Sequence, residues 1–285
     1  MDWRALSLGF LFAAAWSSAF TSARIVVADA PPFLALSVRF LISGLIALGI
    51  GFALGQRIRL DRRAWGGVIL FGVCQNALYL GLNFEAMRTV EASLASVIAS
   101  MMPLIVAALG RLTGERLSRQ AGLGLVAGFA GVLIIMGGRL GQGADLLGMI
   151  LCLIGVLSLA IATMLVRGVS VGGNLWMVVG LQMLVGSAAL FPVSLALETW
   201  VVNWSWPLVV AFSYTVLIPG LGATMIWFVL VGMIGATRAA TFHFLNPFLG
   251  VATAALILGE QVGLRDVLGV AVIMAGILAV QTARR

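Results

Sequence analysis

The sequence predicts an all-α integral membrane protein of ten transmembrane helices in two inverted five-helix repeats. Composition is the first reason. The chain is 62% hydrophobic and 9% charged, with mean hydropathy +1.14. A soluble domain is about half apolar and a quarter charged, so this surface must face lipid. Patterning is the second. In lipid only helices and closed barrels satisfy their backbone groups. A barrel needs period-two alternation, and these apolar runs are long and unalternated. Repetition is the third. Gly114-Glu115 is followed by Gly124 and Gly131, and Gly259-Glu260 is followed at the same spacing by Gly269 and Gly276. Val132-Leu133 answers Ile277-Leu278. Two related halves that each cross an odd number of times lie in opposite orientations, which is the mark of secondary transporters.

In the first half, residues 1–140, the spans are 5–26, 33–54, 66–84, 91–109 and 121–137. The first run follows Arg4 and continues past Ala13–Ala15 to Val27 with no clear end, so it reads as a retained helix, not a cleaved signal peptide. It carries Trp16, Ser17, Ser18 and Thr21. The second carries Arg39, costly in hydrocarbon unless it snorkels or binds a carbonyl; a carboxylate-binding role is the alternative. Gly51 and Gly55 read as a packing face. The third carries Gln75, Asn76, Tyr79 and Asn83. At i, i+3 and i+7 the last three share a helical face, suited to lining a wet cavity or to bonding a neighbouring helix. The fourth has Ser93, Ser96 and Ser100 before Pro103, and the fifth a small-residue face at Gly124 and Gly128.

In the second half, residues 141–285, the spans are 146–166, 175–197, 208–230, 239–257 and 266–282. The sixth offers Ser158 and Thr163, read as packing, and the seventh Gln182. A Trp-rich loop from Glu198 to Trp206 reads as an interfacial belt. The eighth carries Tyr214, read as a belt residue, and Pro219-Gly220, placed to break or kink the helix. It also carries Thr224 and Trp227; the indole suits stacking on an aromatic substrate, and equally lipid-facing packing. The ninth carries His243 and Asn246 at i and i+3, with Pro247. A lone intramembrane His relays protons or holds a hydrogen bond, and the sequence leaves both open. Glu115 and Glu260 occupy duplicated span ends and read as anchors of helix termini.

All 17 basic residues are Arg, and the formal net charge is +7. With the N-terminus inside, twelve arginines fall on the inner side, four of them between Arg57 and Arg63, and four fall outside: Arg24, Arg88, Arg139 and Arg265. The bias predicts both termini in the cytoplasm of a bacterial-type inner membrane, and it accounts for the charge by topology, with no nucleic-acid partner expected. No Asp or Glu lies mid-span, which argues against a polycation substrate. One His excludes two-His metal motifs, and Cys74 and Cys152 form no framework. No cofactor or metal is expected.

Ala15-Trp16-Ser17-Ser18-Ala19-Phe20, Arg39-Phe40, Pro103, Asn246-Pro247 and the twin Gly-Glu pairs, in this order, resemble the EamA-type branch of the drug/metabolite transporter superfamily. The resemblance spans the chain and is closest to exporters of aromatic amino acids. It implies efflux of small metabolites by alternating access through a central cavity between the repeats, with broad efflux of hydrophobic amines or drugs as the alternative. It implies an amino-acid substrate, the bilayer as surroundings, no enzymatic activity, and an assembly compatible with a monomer. The expected substrate-binding residues are Trp16, Ser17, Asn76, Tyr79, Asn83, Ser100, Thr224, Trp227, His243 and Asn246.

Overall fold

The computed structural model describes residues 3–58, 60–114, 117–165, 174–235, 239 and 241–283. Glu115, one of the twin anchors, lies outside them. The helices are α1 (Trp3–Asp29), α2 (Pro32–Ala53), α3 (Arg62–Ala86), α4 (Ala92–Leu112), α5 (Arg119–Leu140), α6 (Leu146–Leu165), α7 (Leu175–Leu197), α8 (Trp206–Ile234), α9 (Phe242–Leu258) and α10 (Leu264–Thr282). Among the described residues, all but α9 are long and apolar enough to cross a membrane, and α9 is a shorter apolar helix.

Local chemistry sets the helix ends. Asp61, Ser118 and Ser205 accept from the backbone N–H groups of Ala64, Ala121 and Leu208, leaving fewer orphan donors at the starts of α3, α5 and α8. Gly259, at φ +70°, closes α9 in the left-handed conformation. Gly55 also has positive φ, +74°, and a methyl there would meet nothing within 4 Å. It ends α2 and packs on nothing. Gly51 alone carries the expected contact, against Trp176 and Met177 of α7.

Four helices depart from regular α geometry, α9 by opening on a 3₁₀ segment, Thr241–Leu245. The α4 helix turns at Ser100-Met101 and restarts at Met102, where Pro103 lacks a backbone donor. The α3 helix widens to π geometry over Gly72–Leu80, and α8 does so over Val216–Gly222. So Pro219-Gly220 widens α8 and does not break it. Such π segments recur at functional sites.

The two halves pack as an antiparallel pair of similar units. The α1 helix contacts α8 and α9, and α6 contacts α3 and α4 in the same way. The α2 helix packs along α7, and α5 along α10. Along α2 and α7, Gly44 meets Gly180, and Ser37 and Ser187 exchange hydroxyl-to-carbonyl hydrogen bonds of 3.1 and 2.8 Å. Along α5 and α10, Gly124 meets Gly276 and Gly131 meets Gly269. Rising numbers on one helix meet falling numbers on the other, so each pair runs antiparallel. Glycines allow this close backbone approach, which replaces the missing hydrophobic drive between helices in lipid.

Polar ends lock the pairs. Glu198, at the end of α7, accepts from Phe33 N and Leu34 N at 2.8 and 2.9 Å, capping α2. Gln56, past the end of α2, accepts from Trp176 N at 3.0 Å, capping α7. Glu260, past α9, accepts from Ala92 N and Ser93 N at 2.8 and 3.0 Å, capping α4. Arg139 of α5 binds Asp266 of α10 and Glu91 at the start of α4. Burial, the larger effect, raises the Glu91 carboxyl above its ordinary range, and Arg139 pulls it back. Trp204, before α8, and Trp206, its first residue, stand exposed, as an aromatic belt does.

Candidate functional site

A small pocket, with a cavity volume of about 50 Å³, lies within the first half, with Pro219 of the second half against it. The α1 helix contributes Trp16, Ala19, Phe20 and Ala23; α2 contributes Arg39; α3 contributes Gln75, Tyr79, Leu80, Asn83 and Phe84; α8 contributes Pro219. Met87, just past α3, closes one end, where its carbonyl accepts from the Arg24 guanidinium. Trp16, Phe20, Tyr79 and Phe84 give the pocket aromatic walls. Arg39, Gln75, Tyr79 and Asn83 give it a few polar groups. This is the usual make-up of a small-molecule site, apolar with sparse polar anchors. Its lining contains no Asp or Glu.

Hydrogen bonds hold α1 in place from the back. Ser18 Oγ lies 2.7 Å from Tyr214 Oη, the Thr215 hydroxyl donates to Ser22 Oγ at 2.8 Å, and the Thr21 hydroxyl donates to Thr253 Oγ1 at 3.1 Å. Tyr214 is therefore a bonded partner of α1, not a belt residue.

A second cluster sits beside the pocket, toward the start of α1. The Phe12 ring lies 5.0 Å from Trp227, 5.2 Å from His243 and 5.9 Å from Trp16, between ring centroids. Trp227 and His243 are 5.4 Å apart. Asn246 Nδ2 meets His243 Nδ1 at 3.0 Å, and Ser17 donates to Asn246 Oδ1 at 3.4 Å. Phe242 fills the space that a side chain at Gly9 would take. Trp16 lines the pocket and also packs within this ring cluster, the plug.

The ten expected site residues thus divide three ways. Trp16, Tyr79 and Asn83 line the pocket. Ser17, Trp227, His243 and Asn246 form the plug. The remaining three bond elsewhere. Asn76 donates to Gln182 O on α7 at 2.8 Å and packs against Gly186. The Ser100 hydroxyl donates to Val97 O at the α4 turn. The Thr224 hydroxyl donates to Gly220 O inside α8. Asn76 parts from Tyr79 because the π turn between them is wider than the regular helix that the i, i+3 spacing assumes. Gln75 and Phe84 were reachable by the same polar and aromatic signals, but Gln75 falls off the assumed stripe. Among the described residues, no cluster of His, Cys, Asp or Glu is arranged to hold a metal ion.

Comparison with known proteins agrees with this architecture. The EamA-like transporter family matches the chain twice, over residues 3–137 and 146–282. The uncharacterized transporter YvbV of Bacillus subtilis is 27% identical over 98% of this chain and 91% of its own. The uncharacterized inner membrane transporter YedA of Escherichia coli K12 is 26% identical over 93% of this chain and 86% of its own. The aromatic amino acid exporter YddG of Ancylobacter novellus is 28% identical, over 47% of this chain and 46% of its own. One crystal structure aligns over the whole of both chains with a TM-score of 0.71 at 21% identity, which shows the shared fold. The protein is a multi-pass membrane protein, and it belongs to the EamA-like transporter family.

Proposed function

We propose that this transporter exports aromatic and other neutral amino acids from the cytoplasm, by alternating access about the pocket. The carrying observation is the pocket lining. Four aromatic walls match a planar side chain, while the Arg39 cation and the Gln75 and Asn83 amides match the polar end of a zwitterion. The moving bodies in this reading are residues 1–140 and 141–285, rocking about the seams where α2 meets α7 and α5 meets α10. The plug around Phe12, His243 and Trp227 is then the closed gate on the side of the α1 start, and the positive-inside bias puts that side in the cytoplasm. His243 serves as a hydrogen-bonding member of the gate. Its plug neighbours are rings and an amide, with no carboxylate to pass a proton to.

The test is flux in sealed liposomes holding only this protein. They are preloaded with labelled phenylalanine, tryptophan, threonine or a cationic dye, each with and without a pH gradient. Saturable amino-acid flux that a gradient does not accelerate is expected. Dye flux without amino-acid flux would replace this reading with efflux of hydrophobic amines.

A further inference from the structure

Arg39 breaks the rule that the other buried cation among the described residues obeys. Arg139, equally enclosed, binds two carboxylates. Arg39 is 6% exposed and makes no hydrogen bond or ion pair with any described residue. Its Nε is fully enclosed and unbonded. Its contact is with an arene face: Cζ lies 5.2 Å from the centre of the Phe40 ring. One turn along α2, the buried Ser43 hydroxyl is also unbonded. Both residues look onto Gly220. A methyl placed there would stand 3.5 Å from Ser43 Oγ and 3.8 Å from Arg39 Nη2, so α8 lies against this polar pair at ordinary contact distance and offers it no side-chain partner at this point.

A charge kept unpaired inside a membrane protein is strongly unfavourable unless a ligand completes it. A guanidinium offers a fork of donors that fits a carboxylate at two points. The pocket offers no acid to bind an amine. We infer that Arg39 is the residue that binds the carboxylate of the transported molecule. The inference rests on the pocket being the transport site. It deepens that reading in one direction: the carboxylate is required, and the α-amino group is dispensable. The accepted class is then aryl carboxylates, with or without the amine.

The experiment measures binding to purified protein in detergent by thermal shift and calorimetry. The probes are phenylalanine, 3-phenylpropionate and phenethylamine, against wild type, Arg39→Met and Arg39→Lys. Expected are binding of both carboxylates to wild type, phenethylamine at least tenfold weaker, loss of both carboxylates by tenfold or more in Arg39→Met, and partial recovery in Arg39→Lys. Without ligand, Arg39→Met is expected to melt at or above the wild-type temperature, because an unpaired buried charge has been removed. A lower melting temperature with undiminished carboxylate binding would make Arg39 structural and overturn the inference. Should Arg39→Met fail to fold, Arg39→Gln keeps a polar side chain at the site and removes the charge and the guanidinium fork. Binding unchanged there also overturns the inference. Arg39-dependent binding of 3-phenylpropionate without amino-acid flux sustains it while ending the amino-acid reading. Phenylalanine flux that is equal in Arg39→Met does the reverse.

Discussion

Gly276 of α10 and Gly124 of α5 touch backbone to backbone: a methyl on Gly276 would stand 2.6 Å from Gly124 O, and one on Gly124 would stand 2.8 Å from Gly276 O. The two glycines hold non-equivalent places in the duplicated phrase, and Gly131 and Gly269 cross in the same way. Contact between non-matching positions in opposite order is what a two-fold axis between inverted copies produces. It also makes the seam intolerant. All three nearest atoms to the Gly276 methyl position are backbone atoms, so no side chain can swing aside. Gly276→Ala is expected to cost about 1–3 kcal/mol, as overpacking does. Gly137→Ala, on the open face of α5, is expected to be neutral or slightly stabilising by up to about 1 kcal/mol. Thermal unfolding in one detergent compares them. Equal melting temperatures would remove the close seam.

Glu198 and Glu260 each cap a helix of the opposite half through two backbone N–H groups. The geometry is that of an N-cap supplied from outside the helix. Its loss is expected to cost about 1 kcal/mol at each site. The caps serve different helices, α2 and α4, and share no partner, so Glu198→Ala and Glu260→Ala should add in the double variant. Denaturant unfolding of the two single variants and the double tests this. A double variant no worse than either single would mean that one cap does not form.

Arg139 holds the start of α4 to the start of α10 through Glu91 and Asp266. Arg139→Ala leaves a nearly buried Asp266 unpaired and is expected to cost about 2–3 kcal/mol, discounted because Glu91 remains half-exposed. The pH dependence has a definite sign. The folded state holds the Glu91 carboxyl above its ordinary value of 4.5. A carboxyl raised on folding binds protons better in the folded state, so it costs stability as pH rises past 4.5 and through the folded value. Arg139 opposes that shift. Removing it should therefore steepen the fall in melting temperature between acidic and neutral pH. A flat profile in Arg139→Ala would deny that Arg139 compensates Glu91.

Spans and repeats were legible because they rest on regular signals: apolar length for the helices, and repeated glycine spacing for the two halves; which helices those glycines bring together was not legible. The pocket was legible only in part. Trp16, Tyr79 and Asn83 were reached as polar or aromatic groups within spans, but Asn76 went with them because the spacing argument assumes regular α geometry. The π segment at Gly72–Leu80 turns Asn76 toward Gln182 of α7. Nothing in the local sequence announces that widening. Arg39 was legible as a costly residue, while its lack of a partner depends on which side chains the fold brings near it. Ser100 and Thr224 looked like pocket groups until their hydroxyls closed on carbonyls of their own helices. A short hydroxyl always has that option in a helix.

The pocket and the plug should separate in transport kinetics. Tyr79 lines the pocket, and its ring is buried there. Trp227 lies outside the lining and packs on Phe12 and His243. Losing an aromatic contact with the substrate is worth about 1–1.5 kcal/mol, or roughly tenfold in affinity. Tyr79→Ala is therefore expected to raise the phenylalanine KM about tenfold, and Tyr79→Phe to change it little if the ring face is what matters. Trp227→Ala should leave KM within about twofold and alter kcat instead, since a looser plug changes the rate of opening and not the fit of the substrate. Initial rates across a phenylalanine series in proteoliposomes give both constants. The reverse pattern, a KM effect at Trp227 and a kcat effect at Tyr79, would move the binding site from the pocket into the ring cluster around His243. Trp16, which touches both, should then shift both constants whichever site the substrate takes.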